Sequence, residues 1–416
     1  MDQLIIFSLS DLVNNTIGYL LSLWWIYIPL ILLILLIMLF ESYSRTNYIN
    51  SLKWFLLEIQ VPQDPHKSPK AAEQIYAALH AIQPKVKAKE KFWLGKVPDW
   101  FSFEIVSISG QIHIFVRTLE AHRNFVESQI YAQYPDAEIK EADDYMNDLP
   151  LILPDDQYDL NGGDFILEKE DAYPIRTYPD FEEERPGKDD VKRIDPMASL
   201  VESMSTLLSG ERIAVQVLVR STDDKWVKDA QQAIDKLMGK KPKSKKTVTT
   251  TIVGSIMTNV LRYGPPEKKD EKEVTMSQLT PGTQEALKAI EKSLAKLGLE
   301  TNIRFLYIAP KDIYNKGKIA AVTGCFKQFS SFALNSFKIN KETAPGGKWP
   351  FKPMTEFGRK KKLYRKFRLR QYAKKRYVLN TEELATVFHF PDIGVKSAVL
   401  PRIEARKGEA PAELPI

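Results

Sequence analysis

Residues 101–117 read FSFEIVSISGQIHIFVR. From Phe101 to Ser109 apolar and polar side chains alternate, the period of a strand with two different faces. Gly110-Gln111 is a tight-turn signal and Ile112 to Arg117 alternates again, so the stretch is predicted to be an antiparallel hairpin. Upstream, Leu52 to Val61 (LKWFLLEIQV) reads as a strand. Ser68-Pro69 follows, an N-cap with proline at the first helical position. Ala72, Ile75, Ala78, Leu79 and Ile82 then recur at helical spacing. Downstream, Phe125, Ile130 and Tyr131 mark a helix within Glu120 to Tyr134, and Asp136 to Glu141 reads as a short closing strand. The order β-α-β-β-α-β is that of a ferredoxin-like unit.

Farther along, a strand is expected near Asp164 to Arg176, a helix over Met197 to Leu208 and a strand over Arg212 to Arg220 (RIAVQVLVR). Lys225 to Met238 is predicted helical, stopped by Gly239 and followed by the basic Lys240 to Lys246. Residues 247–261 are β-branched and then apolar, with no decisive period. Gly264 to Lys272 (GPPEKKDEK) reads as a linker. A helix over Pro281 to Leu297, a strand over Glu300 to Ile308 and a mostly helical Ile313 to Phe337 complete the pass. With residues 225–261 as an excursion, strands near Phe165, Val215 and Phe305 plus one late strand repeat the β-α-β-β-α-β order. The expected fold is therefore α+β: an N-terminal transmembrane helix followed by two ferredoxin-like (βαββαβ) units in tandem. The expected divisions are an anchor over 1–46, a first unit over 50–145, a second over 146–345 carrying the acidic loop and inserted helices, and a basic segment with a closing helix over 346–416.

No charged residue occurs from Leu12 to Phe40. The run Leu20 to Phe40 (LLSLWWIYIPLILLILLIMLF) meets the roughly 20 apolar residues that a helix needs to cross a bilayer. A helix over about 17–40 would present Leu20, Ile28, Leu32, Leu36 and Phe40 to lipid, with Trp24 and Trp25 in the interfacial belt. Pro29 allows spanning. A buried core helix would be shorter and less uniform, and a cleaved signal would want a basic start and an Ala-x-Ala site, whereas Asp2 and Asp11 precede the run and Glu41-Ser-Tyr-Ser follows it. Arg45, Lys53, Lys67 and Lys70 all follow the helix and nothing positive precedes it, which places the N-terminus outside a cell membrane and the body in the cytoplasm.

The 416 residues allow two or three ordinary cores, and 44% hydrophobic with 27% charged residues is a globular composition. A lone cysteine, Cys325, excludes an internal disulfide framework, and the five histidines stand apart from metal-ligand spacings. No metal and no cofactor is expected. Gly162-Gly163 and Gly346-Gly347 read as turn signals. The acidic stretch lacks EF-hand spacing and reads as a solvated face.

The net charge of +6 conceals two opposed segments. Asp136 to Asp190 holds 19 acids against 5 bases, while Arg359 to Arg376 holds 11 bases and no acid. Those bases are Arg359, Lys360, Lys361, Lys362, Arg365, Lys366, Arg368, Arg370, Lys374, Lys375 and Arg376. On a helix, Leu363, Phe367 and Ala373 would face a core while the bases point outward. Such a surface suits the phosphates of nucleic acid, with Tyr364 and Tyr372 stacking on bases. It equally suits anionic lipid headgroups. A third reading is a basic helix lying opposite the acidic stretch of the same chain or of a neighbour.

The C-terminal stretch Tyr377 to Pro391 is YVLNTEELATVFHFP, followed by Leu400-Pro401-Arg402. Thr381 can cap a helix from Glu382, with acids at its positive end and Leu384, Val387 and Phe388 packing inward. This stretch resembles the segment that precedes the motor domain in membrane-bound ATPases of type IV secretion and conjugation, of the HerA/FtsK-like class. The Ser68-Pro69 helix and Gln284 to Ile308 (QEALKAIEKSLAKLGLETNIRFLYI) look similar too, so the resemblance covers most of residues 50–405. It implies a membrane helix, a mixed α/β body and a place in a DNA-transfer assembly. In that class a phosphate-cradling G-x-x-x-x-G-K-[ST] loop comes next. Here Gly95-Lys96, Gly187-Lys188, Gly239-Lys240, Gly317-Lys318 and Gly347-Lys348 all lack the following Ser or Thr, and the chain reaches Ile416 without the loop. No G-x-S-x-G or H-E-x-x-H stands in for it. The expectation is a non-catalytic component acting as platform for a P-loop motor ATPase encoded nearby, within a homo-oligomer or larger assembly. The alternative is an independent membrane-tethered module that binds nucleic acid or anionic lipid through its basic segment.

Overall fold

The computed structural model describes residues 22–61, 68–82, 86–183, 192–193, 195–223, 225–238, 279–347, 349–373 and 375–391. Leu20, Lys374, the lysine-rich 240–246, the unsettled 247–261 and the linker 264–272 lie outside them. In chain order the first elements are α1 (Trp24–Ser51), β1 (Trp54–Gln60), α2 (Lys70–His80), α3 (Ala88–Trp93), β2 (Phe101–Ile108), β3 (Gln111–Leu119), α4 (Arg123–Gln133) and β4 (Glu138–Glu141). Then come β5 (Tyr158–Leu167), the two-residue β6 (Glu182–Glu183) and β7 (Lys192–Arg193), α5 (Ala198–Ser205), β8 (Arg212–Ser221) and α6 (Lys225–Leu237). The last are α7 (Pro281–Leu294), β9 (Gly298–Pro310), α8 (Gly317–Lys327), β10 (Phe337–Ile339), α9 (Lys352–Arg368), β11 (Tyr377–Asn380) and α10 (Thr381–Val387). They form two compact units, Met1–Lys53 with Pro84–Asp99, and Trp54–Gln83 with Trp100–Ile416.

In the larger unit the predicted hairpin is β2 and β3, in register from Ser102↔Arg117 to Ile108↔Gln111. Nine of the described strands form one antiparallel sheet in the order β10-β5-β9-β8-β2-β3-β1-β4, with β11 added on β9, while β6 and β7 pair only with each other. The expected boundary after residue 145 does not interrupt this sheet: β2 pairs with β8 from Phe101↔Val219 to Ile108↔Arg212. β9 serves three neighbours. One edge carries β8; β5 and β11 lie end to end along the other, at 304–310 and 298–301. Between them the Ile303 N–H donates to the Tyr377 hydroxyl at 3.3 Å.

Alternation sends β2 side chains to two differently covered faces. Phe101, Phe103 and Ile105 join a large core with Ile75, Tyr76 and Leu79 of α2, Val126 and Ile130 of α4, Val201 of α5 and Phe326 of α8. Val106 faces the other way, into a second core with Leu56, Phe115, Ala214 and Leu306. That core is roofed by Tyr145, Met146, Leu149 and Leu153 and by Leu363, Tyr364 and Phe367 of α9. The helix pair α6 and α7 buries Ala230, Ile234, Leu287 and Ile290 in a third, smaller cluster.

Three expectations shift. The strand expected near Asp164 begins at Tyr158, so Gly162-Gly163 lies inside β5 and not in a turn. A Cβ on Gly162 would stand 2.2 Å from the Phe305 carbonyl oxygen, so the glycine permits close approach of two strands. The helix expected over 313–337 covers only Gly317–Lys327. After it, Asn335 ties the chain to the sheet: its Oδ1 accepts from Lys169 N, and its Nδ2 donates to the Glu170 and Tyr173 carbonyls. The cap of α10 is Asn380, one residue before Thr381. Asn380 Oδ1 accepts from Glu383 N and Glu383 Oε2 accepts from Asn380 N, each at 2.9 Å.

All seven residues of α10 are buried. Tyr76 of α2 donates its hydroxyl proton to the Phe388 carbonyl, and Glu382 accepts from Lys296 (2.5 Å), Thr177 and Lys292. Burial would raise the Glu382 carboxyl, but Lys296 and Thr177 outweigh it and hold the group below its usual range. Glu383 also accepts from Ile175 N at 2.8 Å, yet burial pushes its carboxyl up to about 8. The native chain then keeps a proton that the unfolded chain has released above its pKa of roughly 4.3. This contribution is full below that value and is lost as pH rises through about 8. Glu383→Gln should therefore flatten the fall in melting temperature between these limits. An unchanged slope would place the titration elsewhere.

Candidate functional site

Two features of the chain face outward with chemistry that a fold alone does not require. The first is α1. Its 28 residues contain a span long and apolar enough to cross a membrane, and none of that window is buried. At about 1.5 Å per residue the helix runs for about 42 Å, longer than a hydrocarbon core of about 30 Å. Trp24, Trp25, Ile28, Leu32, Leu36 and Phe40 are all exposed. The helix continues eleven residues past the expected end at Phe40, through the polar ESYSRTNYINS.

Within the same unit α3 packs beside the far end of the apolar run. Phe40 meets Phe92 and Trp93 with ring centroids 5.8 Å away in each case. Gly95 allows this approach, with φ +65° and no room for a Cβ, which would lie 2.2 Å from the Ser44 carbonyl carbon. Trp93, Leu94 and Tyr43 remain exposed, and Lys87, Lys89 and Lys91, on or just before α3, are exposed as well. Aromatic rings among lysines are the composition of a membrane–water interface. The sequence separates α3 from α1 by a strand and a helix, so its role was missed; the signal was there in KAKEKFW.

The second feature is the basic segment. Helix α9 covers Lys352–Arg368 and stops there, with Arg370 in the left-handed region at φ +46°. Tyr372 and the last bases are therefore off the helix. Arg359 donates to the carbonyls of Lys341, Ala344 and Gly346, closing the loop before α9. Lys360 pairs with Asp159 at 2.8 Å, and Arg368 donates to the Met146 carbonyl. Tyr364 donates to the Pro150 carbonyl and Tyr372 to that of Glu300, so neither ring is placed for stacking on bases. Arg376 pairs with Glu300. Lys375 stays exposed, and Lys366 is half-buried with its carbonyl accepting from Arg304.

Arg370 does not point outward at all. It is fully buried, Nε donating to Glu104 Oε1 at 3.0 Å and Nη1 to Asp144. Glu104 also accepts from Ser102 and from Tyr145, each at 2.6 Å. A second guanidinium, Arg304, meets Asp164 at 2.6 Å with both side chains wholly excluded from water. Nearby, burial and then Arg370 draw the Arg117 guanidinium down to about 10. Among the described residues, two of the eleven bases, Lys360 and Arg370, thus pair with acids of the chain's own acidic stretch, Asp159 and Asp144. Lys361, Lys362 and Arg365 remain exposed on α9.

Removing one partner of a buried pair costs about 3–5 kcal/mol, because the other charge stays behind. Arg370→Met should lower the melting temperature sharply, and adding Glu104→Leu should recover most of that loss. Additive losses in the double variant would mean that the two groups are not coupled.

No curated protein matches the chain. A family model described as a domain of unknown function, DUF8128, matches residues 49–399, which take in both sheet faces, α9 and the buried α10. The chain belongs to that family.

Proposed function

We propose that this protein is a membrane-anchored, non-catalytic component of a type IV secretion-like, DNA-translocating assembly, serving as platform for a separate motor ATPase. The observation that carries the reading is the α1 span, none of whose apolar window is buried and whose Phe40, at the end of the apolar run, meets only the rings of Phe92 and Trp93 among the aromatic groups of the described residues. Left in water, such a surface would cost about 25 cal/mol per Å², which lipid removes. The collar of Phe92, Trp93, Lys89 and Lys91 sits at the C-terminal end of that span, and no base precedes the span. This supports an external N-terminus and a cytoplasmic body. For the body we infer two ferredoxin-like units fused edge to edge. The halves β4-β1-β3-β2 and β10-β5-β9-β8 repeat one strand order, and α6 and α7 fall in the connection from β8 to β9. A platform reading is favoured further by the likeness of Tyr377 to Pro391 to the segment before a motor domain in such ATPases.

The second reading, an independent tethered module, is favoured by the exposed Lys361, Lys362 and Arg365. Lys360 and Arg368 hold the body together and are poor probes of it. Reversing the three exposed charges to Glu should weaken retention of DNA or anionic lipid while leaving the unfolding free energy within about 0.5 kcal/mol of wild type.

The platform reading is tested on the full chain. Wild type should resist alkaline extraction from membranes. Leu32→Lys with Leu36→Lys should release it, since each lysine at mid-bilayer costs about 2.5–3.5 kcal/mol. In mild detergent the wild-type chain should co-purify with a Walker-loop ATPase. An ATPase-free complex would end the platform reading, and extraction of wild type would end the anchor.

A further inference from the structure

Helix α9 divides its side chains sharply. Leu363, Tyr364 and Phe367 are buried on one side. On the other, Met354, Phe357, Lys361 and Arg365 are exposed at spacings of three and four that make one helical ridge, and the exposed Lys362 stands beside it. Trp349 and Phe351 just before the helix are exposed too, Trp349 at 84% and Met354 at 78% of their full surfaces. Large apolar groups gathered on one surface mark a contact site.

The bases on this ridge differ from the rest of the segment. Arg359, Lys360 and Arg368 give their charges to carbonyls or to Asp159. Lys361, Lys362 and Arg365 form no ion pair with an acid among the described residues. Lys361 Nζ lies instead 4.5 Å above the ring of Phe357. Hence the ridge offers unspent positive charge among unspent apolar surface.

We propose that this ridge lies on an anionic bilayer surface. Trp349, Phe351, Met354 and Phe357 would enter the boundary between headgroups and acyl chains, and the three bases would meet lipid phosphates. A helix that is apolar and basic on its exposed face binds membranes in this manner, with each base near the surface contributing about a five-fold gain in affinity. Single-stranded nucleic acid is bound in grooves that follow its backbone. Here rings and bases stand on a convex helix, and Met354 has no stacking face. The proposal rests on the α1 reading only in that a tether keeps a bilayer close by and raises its effective concentration.

The test places the full chain in nanodiscs of phosphatidylcholine alone or of phosphatidylcholine with one quarter phosphatidylglycerol, and follows lysine acylation by mass spectrometry. Labelling of Lys361 and Lys362 should fall about five-fold or more in the anionic discs and recover in high salt, while the exposed Lys288 of α7 is unaffected. Phe351→Ser with Met354→Ser and Phe357→Ser should abolish the protection without loss of disc incorporation, since all three side chains are exposed. Equal labelling in both discs overturns the proposal. So does protection in neutral discs on adding a DNA oligonucleotide when anionic lipid gives none. A chain that stays out of every disc overturns the α1 reading alone. The same comparison with added anionic and neutral vesicles then decides the ridge.

Discussion

A carboxylate on the inner face of a covered sheet must find a partner or lose its charge, and Glu104 stands on such a face. It is wholly excluded from water between β2 and the roof of Tyr145 and α9. Burying an isolated carboxylate costs more than a domain's whole stability. Arg370 answers it, together with the hydroxyls of Ser102 and Tyr145. To deliver that guanidinium, α9 has to end at Arg368 and the chain has to turn through a left-handed residue, at a cost of roughly 1–2 kcal/mol. The same turn leads on toward β11, which takes the free edge of β9. One buried charge thus constrains the end of α9, the path beyond it and the placement of the closing helix.

That constraint explains what the sequence made legible and what it did not. The hairpin 101–117 showed its alternation because β2 and β3 put different side chains on two faces, and the helix after Pro69 showed its period, although Pro69 and not Ser68 stands at its N-cap and no side chain caps it. The edges of β5 were hidden because Asn161-Gly162-Gly163 has the composition of a turn, and only the neighbouring Phe305 backbone explains why glycine is needed there. The cap of α10 slipped by one residue because Asn380 and Thr381 are both good caps, and the reciprocal bond with Glu383 selects the first. Continuity of the sheet through β2 and β8 depends on pairing between residues more than a hundred positions apart, which local patterns do not encode.

Charge was legible in amount but not in direction. Eleven bases in eighteen residues look like a single surface. The structure sorts them by what lies within reach: carbonyls for Arg359 and Arg368, carboxylates for Lys360, Arg370 and Arg376, and solvent for Lys361, Lys362 and Arg365. The acidic stretch was the missing partner. Asp144 and Asp159 belong to it, and its roof segment 145–153 supplies the apolar half of the same contact. A run of like charge that would repel itself as a free helix is stabilised by folding against its complement.

The apolar surface follows the same logic of satisfied and unsatisfied groups. In the larger unit nearly every long apolar side chain of the sheet finds a neighbour on one face or the other. Among the described residues most exceptions lie on α1 with its collar, a second group lies at the start of α9, and others, such as Leu151, Ile152, Leu208 and Phe332, lie elsewhere. Stability does not require either. Exposed Trp, Phe and Met raise the free energy of the isolated chain, and lysines placed among them oppose association with another apolar protein surface by demanding hydration or counter-charge. A bilayer with anionic headgroups removes both penalties in one contact, because phosphate and hydrocarbon lie within a few ångströms of each other along its normal. The anchor and the ridge as proposed would thus answer to the same physical demand, a surface that offers hydrocarbon and phosphate together.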